Sequence, residues 1–112
     1  MNRKEVAKRF SEEVLKRSGN EIVSMTLFGS VAEGTDTADS DIDILVITDA
    51  NQNISSDIYD IVADFVIRYS ELPSILAYSL NNMSEFAKKI TQGGVVLYER
   101  DRGAFTKVQT LS

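Results

Sequence analysis

Apolar positions along this chain change period several times, and each change marks an element. Over residues 3–17, Val6, Phe10 and Val14, with Ala7 and Leu15, recur at helical spacing, and Gly19 stops the pattern, which predicts a first helix. Residues 22–28 and 42–47 are almost continuously apolar and rich in β-branched side chains, which predicts two buried strands at the centre of a sheet. Between them, residues 30–33 fit a short helical turn and residues 34–40 a polar loop. Ile54, Ile58, Ile61, Val62, Phe65, Val66 and Tyr69 form the most regular amphipathic stripe in the chain, predicting a helix over 54–69. Pro73 opens a third strand over 74–79, since proline suits a strand's first position. Ser84 caps a helix through residue 92 with Phe86, Ala87 and Ile90 facing inward, Gly93-Gly94 ends it, and residues 95–98 supply a last strand. This alternation predicts an α/β (α+β) fold: a mixed sheet of about four strands packed with helices.

A chain of 112 residues, 43% hydrophobic, can bury one core, so a single domain over 1–112 is expected, with residues 101–112 a loose polar tail. The first residues are charged rather than apolar, and no apolar stretch approaches membrane-spanning length, which points to a cytoplasmic protein. Cysteine and histidine are both absent from the sequence. Disulfides, thiolate chemistry, imidazole bases and His-ligated zinc are thereby excluded, and catalysis would have to run on carboxylates and metal.

Charge is unevenly spread around a net of −5. From Ser18 to Ile67 there is no Lys or Arg, while Glu21, Glu33, Asp36, Asp39, Asp41, Asp43, Asp49, Asp57, Asp60 and Asp64 all fall there. Such a stretch attracts divalent cations and repels a bare phosphate backbone, so direct nucleic-acid binding is not expected. Asp57, Asp60 and Asp64 read as the wet face of the third helix. The basic residues between Arg3 and Arg17 share their helix with three glutamates and read as a solvated or partner-docking face. Tyr59, Tyr69, Tyr78 and Tyr98 sit at core spacing and read as packing with wet hydroxyls.

Chemistry concentrates between Leu27 and Val46. Gly29-Ser30 follows an apolar run, ten residues intervene, and Asp41-Ile42-Asp43 opens the next run. Glycine lets an anion approach the backbone, and a strand-to-helix turn aims free N–H groups at it. Side chains two apart on a strand share a face, so Asp41 and Asp43 can hold one divalent cation between them. Phosphate on one side and metal on the other is the layout of nucleotidyl transfer. Ser30-x-x-Glu33 can equally be a capping box that starts a helix without any ligand.

Gly29-Ser30, the ten-residue gap and Asp41-x-Asp43 resemble the minimal nucleotidyltransferases, relatives of the DNA polymerase beta palm, with a looser likeness at residues 93–99. The resemblance implies a palm-like sheet, ATP or another NTP at Gly29 and Ser30, Mg²⁺ or Mn²⁺ at Asp41 and Asp43, and transfer of AMP to a hydroxyl of a partner protein. In this family a third carboxylate, usually on the next core strand, completes the site. Residues 73–79 contain none; Glu71 lies just before them and Glu85 well after. Glu33 stands where many relatives carry an arginine. A second reading is therefore an inactive or weakly active antitoxin subunit that binds a HEPN-type toxin. Under either reading, further substrate surface would come from a partner or another copy of the chain.

Overall fold

The computed structural model describes residues 1–50 and 52–100. The expected tail at 101–112 lies outside the described residues. Helix α1, Arg3–Ser18, starts at Asn2, whose side-chain oxygen accepts from the Glu5 N–H, and buries Val6, Ala7, Phe10 and Val14. A 3-10 turn, Gly19–Glu21, leads into strand β1, Ile22–Phe28. The five-residue helix α2, Gly29–Glu33, and a polar loop connect it to β2, Ile42–Thr48. Helix α3, Ser56–Tyr69, precedes β3, Pro73–Ser79; α4, Glu85–Gly93, precedes β4, Val95–Glu99.

The strands form one sheet in the order β3-β2-β1-β4, with β1 and β2 central as their apolar runs require. β1 pairs antiparallel with both β2 and β4, whereas β2 and β3 are parallel, which a helical crossover through α3 makes possible. Alternation along β2 then sorts the core. Ile42, Ile44 and Val46 join Phe10, Val14, Ile58, Ile61 and Phe65 in the larger cluster, with α1 and α3 on that face. Phe10 meets Phe65 edge-on, ring centroids 5.4 Å apart, which locks the two helices together. Leu45 and Ile47 face the opposite way and pack with Ala87 and Ile90 of α4.

Several expectations change in three dimensions. The apolar stripe of α3 is wider than its buried face: Ile58, Ile61 and Phe65 are buried, Val62 and Tyr69 pack at the margin, and Val66 is exposed. Ser55 caps α3, so Ile54 lies outside the helix. Phe86 is 56% exposed rather than inward, although it meets Phe28 edge-on. Among the tyrosines, Tyr69, Tyr78 and Tyr98 pack on the core, while Tyr59 is exposed. The acidic face of α3 is as expected, with Asp57 and Asp60 exposed and Asp64 paired to Arg68 one turn on.

Candidate functional site

The site grows from the end of β1. Phe28 is still extended, but Gly29 turns to φ +75°, a conformation that disfavours any side chain, and α2 begins there. The capping box does not form: the N-cap position is Phe28, no side chain caps α2, and Ser30 lies inside the helix. Gly29 begins the turn by its backbone freedom, so Ser30 cannot occupy the capping position. Gly34, left-handed at φ +77°, closes α2 by donating to the carbonyls of Ser30 and Val31.

The chain then returns as β2, whose first residues lie beside this turn. Asp43 pairs with Phe28 across the antiparallel ladder, on the sheet face that also carries Leu45 and Ile47. A β-carbon on Gly29 would collide with the Asp43 carboxylate and approach its Cγ to 3.3 Å. Glycine is therefore required at 29 twice, by backbone angle and by space, and an acidic oxygen lies directly over the turn. Asp41 sits one residue ahead of β2, exposed. Burial raises the Asp43 carboxyl above its ordinary range, and the negative charge of Asp41 pushes it further the same way. A carboxylate burdened this way, with a second one close by, fits a divalent cation, whose charge would remove the penalty. Among the described residues no group of three acidic, histidine or cysteine side chains is assembled for a metal.

The parallel ladder identifies the side chain on the other flank. Asp43 pairs with Ser74 of β3, so a hydroxyl occupies the neighbouring position on the next strand. Glu71 is committed elsewhere: its Oε1 accepts from Arg3 Nε at 2.9 Å. The same guanidinium donates through Nη1 to Asp36 Oδ2 at 2.8 Å and through Nη2 to the Ala38 carbonyl at 2.9 Å. This raises the Arg3 pKa, chiefly through Asp36 and then Glu71, and lowers that of Asp36, chiefly through Arg3. No sequence spacing announces these contacts, since the partners lie 33 and 68 positions away. The only prior signal was an acidic stretch with no local cation.

A cavity of about 450 Å³ opens beside Gly29, between α2 and α4. Phe28, Ala32, Phe86 and Ile90 give it apolar walls, and Glu33 and Lys89 line it with opposite charges. Helix α4 is held close here by Gly94, where a β-carbon would stand 2.7 Å from the Leu27 carbonyl.

The arrangement can present backbone and hydroxyl donors to a phosphate at residues 29–30 and carboxylates to a cation at 41 and 43. Comparison with known proteins gives the family. The family Polymerase beta, Nucleotidyltransferase matches residues 11–103. A candidate protein adenylyltransferase of Methanocaldococcus jannaschii, MJ1305, is 32% identical over 101 residues, covering 82% of this chain and 69% of that protein. Among solved structures, a toxin–antitoxin with AMP-PNP superposes with a TM-score of 0.62 at 19% identity, covering 84% of this chain and 74% of the other. A candidate nucleotidyltransferase from Sulfolobus solfataricus gives 0.55 at 25% identity, covering 88% and 82%. The match over most of the length, on a sheet that brings Gly29 and Asp43 into contact, means that the chain belongs to the polymerase beta nucleotidyltransferase family.

Proposed function

We propose that this protein binds ATP or another nucleoside triphosphate with Mg²⁺ or Mn²⁺ and transfers the nucleoside monophosphate to a hydroxyl of a partner protein. The observation that carries the reading is the apposition of Gly29 and Asp43, with Asp41 alongside. The backbone N–H groups and the Ser30 hydroxyl would hold phosphate oxygens, beside the Asp43 carboxylate that lies over Gly29. Asp41 and Asp43 would hold the cation, which when bound neutralises charge on the reacting phosphate and the leaving pyrophosphate. In the transfer a bond forms between the acceptor oxygen and the α-phosphorus, the bond to the bridging oxygen of pyrophosphate breaks, and the acceptor proton passes to solvent. The Ser74 hydroxyl lies beside Asp43 and can orient the acceptor or a water, but it is a poor base. Transfer by the chain alone is accordingly expected to be slow.

A second reading rests on a specific observation. The strand beside Asp43 carries no carboxylate, and Glu71 is held by Arg3, which suits a catalytically weak antitoxin subunit. Two of the similar structures are toxin–antitoxin complexes, one with AMP-PNP and one an MntA-HpeT variant with two Asp-to-Glu substitutions. The partner in that case would be a HEPN-type toxin. The acidic stretch from Ser18 to Ile67 complements a basic ribonuclease, so the complex should weaken with salt.

One experiment separates the readings. The purified chain is incubated with α-labelled ATP and Mn²⁺, with and without host-cell extract, beside an Asp41→Asn, Asp43→Asn double variant. Label on a protein, lost in the double variant, supports transfer. Nucleotide binding without transfer, together with salt-sensitive recovery of a HEPN-type protein by affinity capture, supports the antitoxin role. Absence of both nucleotide and Mn²⁺ binding overturns the site.

A further inference from the structure

Asp41 makes no hydrogen bond or ion pair among the described residues, although the proposed cation site needs it at a fixed place relative to Asp43. What holds it is indirect. On its C-terminal side the chain is tied by the Ile42 N–H, which donates to the Leu72 carbonyl at 2.9 Å, ahead of the parallel ladder that begins at Ile42 and Pro73. On its N-terminal side a small turn closes between Thr37 and Ser40, with the Thr37 N–H donating to Ser40 Oγ at 2.9 Å and the Ser40 N–H to the Thr37 carbonyl at 3.1 Å. That turn is anchored to the body of the protein by Arg3. Its guanidinium reaches Asp36 before the turn, the Ala38 carbonyl within it, and Glu71 beside Leu72.

Arg3 therefore ties together both chain segments between which Asp41 is suspended, and it does so from the first turn of α1, which the core fixes through Val6, Ala7 and Phe10. The side chain is only 17% exposed, and the fork of the guanidinium engages three acceptors in different directions. A lysine could not reproduce this, since an ammonium is a point charge without the planar fork.

We propose that Arg3 is a positioning residue for the cation site: by clamping the 36–38 loop to Glu71 it holds Asp41 at the place from which it shares a cation with Asp43. The inference rests on the reading of Asp41 and Asp43 as the cation-binding pair. Its sign is distinctive. Through space, a positive charge repels a divalent cation, so removing Arg3 without any positioning effect would tighten cation binding. Loss of the clamp does the opposite, because supporting contacts around metal ligands typically govern affinity by about ten- to a hundredfold.

The test is Mn²⁺ titration of the full chain by calorimetry and by paramagnetic broadening. Wild type, Arg3→Met, Arg3→Lys, Asp36→Asn and the Asp41→Asn, Asp43→Asn variant are compared, each checked for a cooperative melt. Arg3→Met is expected to bind Mn²⁺ about tenfold more weakly, with Arg3→Lys between it and wild type. Broadening should lose its focus on residues 40–43. Equal or tighter binding by folded Arg3→Met overturns the inference while leaving the cation site intact. Should Arg3→Met not fold, Arg3→Lys carries the decision, since it keeps the positive charge and removes the planar fork. Loss of broadening at residues 40–43 supports the inference, and an unchanged pattern overturns it. Wild type that binds no more Mn²⁺ than the double variant overturns the site itself, and this inference with it.

Discussion

Ser74 stands beside Asp43 across the parallel β2–β3 ladder, on the same side of the sheet, so a hydroxyl occupies the position from which a third carboxylate would complete a cation site. Replacing it tests both the geometry and the shortfall. Ser74→Asp is expected to tighten Mn²⁺ binding on the order of tenfold, because the number of charged ligands sets affinity for a hard cation. It should lower the metal-free melting temperature, since a third like charge joins Asp41 and Asp43. Label transfer from ATP should rise with the affinity. Unchanged Mn²⁺ binding in Ser74→Asp would show that residue 74 does not reach the cation.

Gly29 and Asp43 should behave as a coupled pair in stability. A left-handed backbone costs a residue with a β-carbon about 1–2 kcal/mol, so Gly29→Ala is destabilised by at least that, and collision with the carboxylate adds to it. In Gly29→Ala, Asp43→Ala the collision is gone, because the Asp43 Cβ itself lies at 3.5 Å, an ordinary contact. Denaturant melts of the four proteins should give a double-variant loss smaller than the sum of the singles. Strict additivity would mean that the turn moves aside and the contact carries no constraint.

Glu33 and Lys89 line the cavity beside Gly29 with opposite charges, so their neutralisation should change nucleotide affinity in opposite directions. Glu33→Gln is expected to strengthen ATP binding and Lys89→Gln to weaken it, each by a few-fold. Exposed charges in high dielectric are worth about 1 kcal/mol. Both effects should fade at high salt. Fluorescent-nucleotide titrations at two ionic strengths provide the measurement, and changes of the same sign would place the phosphates away from this cavity.

Asp43 and Asp36 should give opposite pH dependences. The Asp43 carboxyl is raised by burial and then by Asp41, so its ionised form burdens the fold above the raised pKa, and acidification through that range relieves the burden. Asp36 is lowered by Arg3; its contribution is present above the ordinary aspartate range and is lost as pH falls through the lowered value. In metal-free protein, Asp43→Asn should therefore melt higher than wild type at neutral pH, with the gap closing on acidification. Asp36→Asn should melt lower, with its gap closing only in stronger acid. Thermal melts across the carboxylate range check both, and saturating Mn²⁺ should reverse the order of wild type and Asp43→Asn.

Element identity and order were legible in the chain because they depend on local period. Residues 22–28 and 42–47 read as buried strands since both faces of a central strand are covered, and α4 declared its cap through Ser84. The turn at Gly29 was legible for the same reason, since turn chemistry is short-range. Which apolar residues of α3 would be buried was not, because Val66 and Ile61 carry the same pattern and only the packing of α1 and the sheet selects between them.

Three features belonged to tertiary structure alone. Ser30 has a capping-box sequence, yet the positive φ of Gly29 shifts the helix start and leaves the box unused. Glu71 is adjacent in sequence to the strand beside Asp43, yet Arg3 holds it from the far end of the chain. Ser74 became the neighbour of Asp43 only when the β2–β3 register was set, and register comes from packing both strands against the same core. Contacts closed over tens of residues leave no period in the sequence, because their energy depends on where the intervening elements bring the ends. Sequence alone determined the chemistry available to this protein, and the fold decided which carboxylates remain open to use it.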